Sequence, residues 1–272
     1  MTVTDARGTV AARPAGRVQR IWAARSIIAL LVRRDLKVRY ADSYLGYVWS
    51  ILEPLAMSLV YWVVMVKVLN RHAPEKPYLI FLLSGQLAWF WFNGTVTAVM
   101  RSMRTEAALI RSTNLPREIW VVRVILSKAV EFFFSLVVLA AFVGLYRKSV
   151  TPEIILFPVG LILQALMLLG LGLILAPVTV LVKDMDKIVP IVLRILFYFS
   201  PILYSIYQVP KAVRPYLEFN PLIGIFSFYR AAFFHGELKG QYILLSVGTT
   251  VVLLVLGVFT FRRLEPAVLK EI

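Results

Sequence analysis

The chain has 272 residues, of which 60% are hydrophobic and 17% charged, with a mean hydropathy of +0.78 and a formal net charge of +15. A soluble domain is about 45–50% apolar and about 25% charged. Here, uncharged or nearly uncharged apolar runs at 77–100, 154–182 and 240–261 match the roughly 20 residues that cross a bilayer, which excludes an ordinary soluble protein. The absence of cysteine excludes a disulfide framework, a zinc knuckle and a redox dithiol.

Residues 1–16 are small and polar and read as a disordered tail; no apolar run follows their basic residues promptly, so they do not read as a cleavable signal peptide. From 17 to 42 the pattern turns helical. Ile21, Ala24, Ile28 and Leu31 recur at three- and four-residue spacing, beside Trp22 and Ile27, with Arg20, Arg33, Arg34 and Lys37 on the polar side. That is the pattern of an amphipathic helix lying in the headgroup layer.

Six spans follow, at about 44–69, 78–100, 119–146, 154–182, 188–207 and 242–261. Glu53-Pro54 predicts a kink or partial break in the first, because proline lacks a backbone donor and disfavours helical geometry before it. Gly160, Gly170 and Gly172 in the fourth allow close helix approach. Between the fifth and sixth, residues 208–239 hold Pro210, Pro215 and Pro221 and an apolar stretch at 222–234 interrupted by Arg230. That stretch is too short to span and reads as a re-entrant external hairpin, a candidate lid. Eighteen of the 30 Lys and Arg residues fall in segments expected on the cytoplasmic side, eight outside and four within spans. The positive-inside rule then gives a multi-pass protein with both termini cytoplasmic. The charge of +15 reads as this topogenic charge beside anionic lipid, and no nucleic-acid partner is expected.

No G-x-x-x-x-G-K-[ST] loop is present, so ATP and Mg2+ are expected on another chain. Asp184-Met185-Asp186 resembles the paired acids of sugar-nucleotide transferases, but its short loop, between Lys183 and Lys187, suits a solvated turn or partner contact better. Asn93-Gly94-Thr95 matches a glycosylation acceptor inside a span and is set aside. His72 and His235 lie far apart and make a poor metal site; no metal and no catalytic residue is expected. The loop at 101–120 carries a short helical run, through Glu106, Leu109, Ile110 and Arg111, broken at Asn114-Leu115-Pro116 before Arg117. A short amphipathic helix there can dock into a partner's groove.

Within the spans, Lys128 and Glu131 are spaced to pair on one helix face. Alternatively, Arg123, Lys128 and Arg194 form a cationic patch at the cytoplasmic entrance for an anionic headgroup such as a diphosphate. Arg34 and Arg39 are further candidates for headgroup contact. Aromatic runs are frequent, and Trp62, Trp89, Phe132 and Tyr198 are candidate pathway residues, offering sugars flat apolar surfaces. Some of these rings serve as interfacial anchors or lipid-facing bulk.

Several ordered blocks carry a family likeness. Arg34-Asp35-Leu36-Lys37-Val38-Arg39-Tyr40 with Ser43, Leu45-Gly46 and Trp49 resembles the N-terminal motif of ABC-2 type permeases that export polysaccharides and polyol phosphates. Leu109-Ile110-Arg111 and Leu115-Pro116-Arg117-Glu118 are similar to their first cytoplasmic loop. Ser200-Pro201-Ile202-Leu203-Tyr204, Pro210, Asn220-Pro221-Leu222 and Tyr229-Arg230 resemble the segment between their last two spans. The likeness covers about residues 25–263.

It implies an all-α ABC-2 transmembrane domain over residues 43–272 in a bacterial plasma (inner) membrane. It further implies a homodimer working with two ATPase subunits on a polysaccharide attached to a polyprenyl diphosphate, such as O-antigen, teichoic acid or galactan. By the same resemblance Glu106, Leu109, Ile110, Arg111, Pro116 and Arg117 would couple to the ATPase. Pro210, Asn220, Pro221, Tyr229 and Arg230 would form an external gate. An efflux permease for a drug or lipid is the nearest alternative, a membrane-embedded glycosyl- or phosphotransferase a more distant one. An ion-coupled carrier usually shows inverted repeats, and no convincing repeat is present.

Overall fold

The computed structural model describes residues 17–41, 44–70 and 76–272. The tail at 1–16, Ser43 of the N-terminal motif and His72 lie outside these. Among the described residues the regular structure is entirely helical. In chain order it comprises α1 (Arg17–Ala23), α2 (Arg25–Tyr40), α3 (Trp49–Trp62), α4 (Tyr78–Thr105), α5 (Ala107–Ser112) and α6 (Ile119–Leu145). These are followed by α7 (Phe157–Leu181), α8 (Met185–Phe199), α9 (Arg214–Glu218), α10 (Leu222–Ala231) and α11 (Gly240–Glu271).

The amphipathic segment is two helices rather than one, divided at Ala24. Ala24, Ile28 and Leu31 are buried as their spacing predicts, while Trp22 stays 71% exposed. The buried stripe lays α2 along α6.

Helix α3 runs unbroken through Pro54, so the expected break is absent. The proline falls in the second turn, where it forfeits a single helical hydrogen bond. The irregularity comes later, as a wide π-helical segment at Val63–Val68.

Among the described residues, five stretches are long and apolar enough to cross a bilayer: Trp49–Val68, Tyr78–Thr105, Ile119–Leu145, Pro152–Leu181 and Gly240–Glu271. The fifth expected span, 188–207, is represented by α8, which has 15 residues and ends at Phe199. A helix of that length reaches roughly 22 Å at 1.5 Å per residue, short of the roughly 30 Å hydrocarbon core. The stop is local chemistry. Ser200 precedes Pro201 and is extended (φ −90°, ψ 138°), as the proline ring demands of its predecessor.

Helix α4 is the centre of the packing, with 83% of its most apolar window buried, chiefly against α6 and α7. Helix α7 packs most extensively on α11, and small residues permit it: a Cβ placed on Gly170 would lie 2.6 Å from the backbone carbon of Leu253. Gly172 faces Val121 and Gly160 faces Phe228 with similarly little room. All ten residues of α10 are buried, wedged between α4, α7 and α11.

Candidate functional site

Three polar assemblies interrupt the apolar body. The first joins α2, α6 and the loop after α4. Glu106 follows the last residue of α4 and accepts hydrogen bonds from Arg34 and from Arg123, the latter at 2.9 Å. Arg123 Nε also lies 3.2 Å from Asp35 Oδ2, and Ser127 donates to that same oxygen at 3.2 Å. Arg123 is only 5% exposed at its side chain, against 40% for Arg34, and its guanidinium sits 5.3 Å from the centre of the buried Trp120 ring. Burial pushes the Glu106 carboxyl upward, but the hydrogen bonds and charges of Arg123 and Arg34 outweigh it and hold the group below the ordinary glutamate value.

The loop bearing this glutamate is internally braced. Ile110 is fully buried, Leu109 and Pro116 are half-buried and Arg111 is exposed. Arg117 does not project freely: its guanidinium donates to the carbonyls of Thr113 (2.7 Å) and Leu115 (2.9 Å). At the neighbouring turn, Asp186 accepts a hydrogen bond from Arg104 at 2.6 Å. That pair ties the end of α4 to the start of α8. Asp184 is exposed.

The second assembly lies deeper. Glu131 receives Arg39 at 2.7 Å and Lys128 at 2.8 Å. These groups line a cavity of about 270 Å³ with Glu53, Asn93, Trp49, Trp91 and Phe132. The ion pair expected from the Lys128–Glu131 spacing is present, and Arg39 from α2 completes it. The alternative single cationic patch does not form. Arg123 is engaged by Glu106 and Asp35, Lys128 by Glu131, and Arg194 lines a separate cleft.

That cleft is the third assembly, with a volume of about 390 Å³ between α3, α4 and α8. Tyr61, Trp89, Phe197 and Tyr198 wall it, with the Phe197 ring at the centre and the other three ring centres 5.3–5.8 Å from it. Gln86, Asn93 and Thr97 line it from α4, and Arg194 from α8. Two of the four candidate pathway aromatics, Trp89 and Tyr198, therefore share one wall. Phe132 is stacked on Trp91 at 5.3 Å, and Trp62 lines another cavity with Lys76, Tyr78 and Tyr146.

The candidate gate residues divide by burial. Tyr229 is 1% exposed and donates to Gln164 Oε1 at 2.8 Å. Arg230 is 3% exposed, donates to the carbonyls of Pro201 (2.6 Å) and Ile202 (3.2 Å), and lies 3.6 Å over the ring of Phe81. Asn220 bonds Ser200 Oγ at 2.8 Å and caps the backbone N–H of Leu222 at 3.0 Å. Pro221 supplies a carbonyl to the Ser246 hydroxyl. Pro210 supplies one to the N–H groups of Val213 and Arg214 at 3.0 Å. In this arrangement Asn220, Pro221, Tyr229 and Arg230 tie α10 and the turn before it to the rest of the molecule, while Pro210 braces the start of α9 locally.

Among the described residues no cluster of three or more His, Asp or Glu could hold a metal ion; His235 contacts Glu153 alone, at 3.3 Å. Sequence reasoning passed over Asp35, Gln86, Asn93 and Gln164 as functional candidates. The signal was available: each is polar within an otherwise apolar helical face, where such groups are costly unless bonded.

The chain is similar to known export permeases over most of its length. It is 27% identical over 242 residues (88% of this chain, 92% of the relative) to the O-antigen export system permease protein RfbA of Klebsiella pneumoniae. It is 28% identical to the protein of that name in Myxococcus xanthus, over 91% and 96% of the two chains. The polysialic acid transport protein KpsM of Escherichia coli is 26% identical over 90% and 95%. The family model described as ABC-2 type transporter matches residues 27–234, which take in all three polar assemblies, and the chain belongs to that family.

Proposed function

We propose that this protein is the membrane subunit of an ABC exporter that moves a lipid-linked polysaccharide outward across the bacterial inner membrane, with ATP hydrolysed by a separate subunit. The observation that carries this reading is the near full-length similarity to O-antigen and polysialic acid export permeases, on a chain whose helices are long and apolar enough to span.

In the proposed arrangement the chain crosses six times with both ends inside. Helix α8 and the extended residues after it complete the fifth crossing, and α9–α10 form a hairpin in the outer leaflet. Two copies pair around the pathway, and two ATPases, each carrying ATP and Mg2+, dock on the α5 loop. Exposed Arg111 offers them direct contact, while Glu106, Leu109, Ile110, Pro116 and Arg117 hold the loop's shape. Arg39 and Lys128, at the cavity between α2 and α6, are placed to meet the carrier diphosphate. Glu131 between them would exchange one cationic partner for another as the anion enters.

Depletion of the chain in the organism tests the reading. Surface polysaccharide should fall at least tenfold while lipid-linked polymer accumulates in the inner-membrane fraction. Normal surface polymer together with sensitivity to a toxic small molecule would instead identify an efflux permease.

A further inference from the structure

The cleft between α3, α4 and α8 contains polar groups that the fold itself leaves unused. Gln86, Asn93 and Thr97 line it at seven- and four-residue spacing along α4, over roughly 16 Å of helix. Gln86 is 1% exposed; its Oε1 accepts the Ser58 hydroxyl at 3.1 Å, but its Nε2 has no partner. Among the described residues neither Asn93 nor Thr97 makes a side-chain hydrogen bond. Arg194, on the facing helix, makes neither a hydrogen bond nor an ion pair with any of the described residues.

Acyl chains filling this space would leave two amides, a hydroxyl and a guanidinium without partners inside a membrane-spanning body. Each such group costs about 1–3 kcal/mol or more when left unsatisfied. Water or a hydroxyl-rich ligand satisfies them. The opposite requirement comes from the walls, because Trp89, Phe197, Tyr61 and Tyr198 present flat apolar faces that water does not satisfy. A saccharide has both surfaces, with hydroxyls around its edge and C–H groups on its faces. The volume of about 390 Å³ falls within the roughly 300–1,000 Å³ of ligand clefts.

We propose that this cleft is a saccharide-binding track. Gln86, Asn93 and Thr97 exchange hydrogen bonds with ring hydroxyls while the sugar faces lie on the aromatic wall. The proposal rests on the exporter reading and deepens it by assigning the polymer's contact to one wall of this chain. Gln86 Nε2 is the pre-placed donor, since its carbonyl is already fixed by Ser58. The polar row runs along one face of the helix, so a chain advancing along it trades one hydrogen-bonding group for the next without meeting a single deep trap.

Because the chain has no cysteine, single cysteines report on this cleft without background. Asn93→Cys and Thr97→Cys, with Leu126→Cys on the exposed face of α6 as control, would be treated in membrane vesicles with a charged, water-soluble methanethiosulfonate. The two cleft positions should react at least tenfold faster than position 126. They should slow several-fold in vesicles from cells making their surface polymer, compared with cells blocked in its synthesis. Cleft cysteines as unreactive as the control, or rates indifferent to polymer, would overturn the proposal.

The double variant Asn93→Leu, Thr97→Val removes groups that make no bond in the fold, so its folding is spared. It should lower surface polymer at least tenfold at normal membrane levels of the chain, and undiminished export would refute the track while leaving the exporter reading standing. The exporter reading itself would fall only if loss of the whole chain spared the surface polymer.

Discussion

Arg123 carries more of the Glu106 assembly than either of its carboxylate partners. It is the buried cation between Asp35 on α2 and Glu106 on the loop after α4, and its removal leaves two partly desolvated carboxylates with only the more exposed Arg34 as a cationic partner. Breaking a buried pair by deleting one member costs about 3–5 kcal/mol. The residual exposure of Asp35 and Glu106, 24% and 13%, places Arg123→Met near the lower end. Arg34→Gln, on the more exposed cation, should cost under about 1 kcal/mol. Chemical unfolding of both variants in detergent would check the ordering.

The same assembly predicts a pH dependence. Glu106 is held below its ordinary value by its two arginines. Its contribution is therefore complete above the usual glutamate range and fades as pH falls through that range towards its own lowered value. The stability difference between the protein and Glu106→Gln should shrink on acidification. A difference that grew as pH fell would contradict the assigned sign. None of these cross-element pairs was legible in the sequence. Arg34 and Arg123 read as cations seeking an anionic headgroup, because spacing reveals partners only within one helix, as it did for Lys128 and Glu131. Glu106 lies 72 residues from Arg34, and no local pattern encodes that distance.

Helix boundaries inside the apolar spans were largely legible, because long hydrophobic runs leave the backbone no alternative to internal hydrogen bonding. Boundaries set by single residues were less so. The fifth span was expected to run to 207, whereas α8 ends at Phe199 before Pro201, and Pro54 was expected to kink or partly break a helix that carries it unbroken in its second turn. The glycines of α7 were read correctly as contact points, and their energetics follow from the geometry. Gly170→Ala would drive a Cβ into the backbone of Leu253 at 2.6 Å. Such overpacking costs about 1–3 kcal/mol and should lower the temperature of heat-induced aggregation in detergent. Gly248→Ala, in the same α11 and with nothing within 4 Å, should leave it unchanged or raise it slightly, since alanine favours helix over glycine by about 1 kcal/mol. Equal effects at the two sites would rule out the close α7–α11 approach.

For the whole molecule, the three polar assemblies divide the labour that the exporter reading requires. The Glu106 network joins the loop proposed to meet the ATPase to α2, so a push on that loop is felt by the amphipathic segment rather than dissipated. The Arg39–Lys128–Glu131 cavity borders α2 and α3 and the α4–α8 cleft lies beyond it; Phe90 and Asn93 line both. A carrier diphosphate received at the first would therefore present its sugars to the second. Inside-out vesicles containing this chain, its ATPase and preformed lipid-linked polymer test that sequence most directly. On addition of ATP the polymer should become protected from an added glycosidase, and omission of either subunit should abolish the protection. Polymer that stays fully digestible with both subunits present and ATP being hydrolysed would contradict the account.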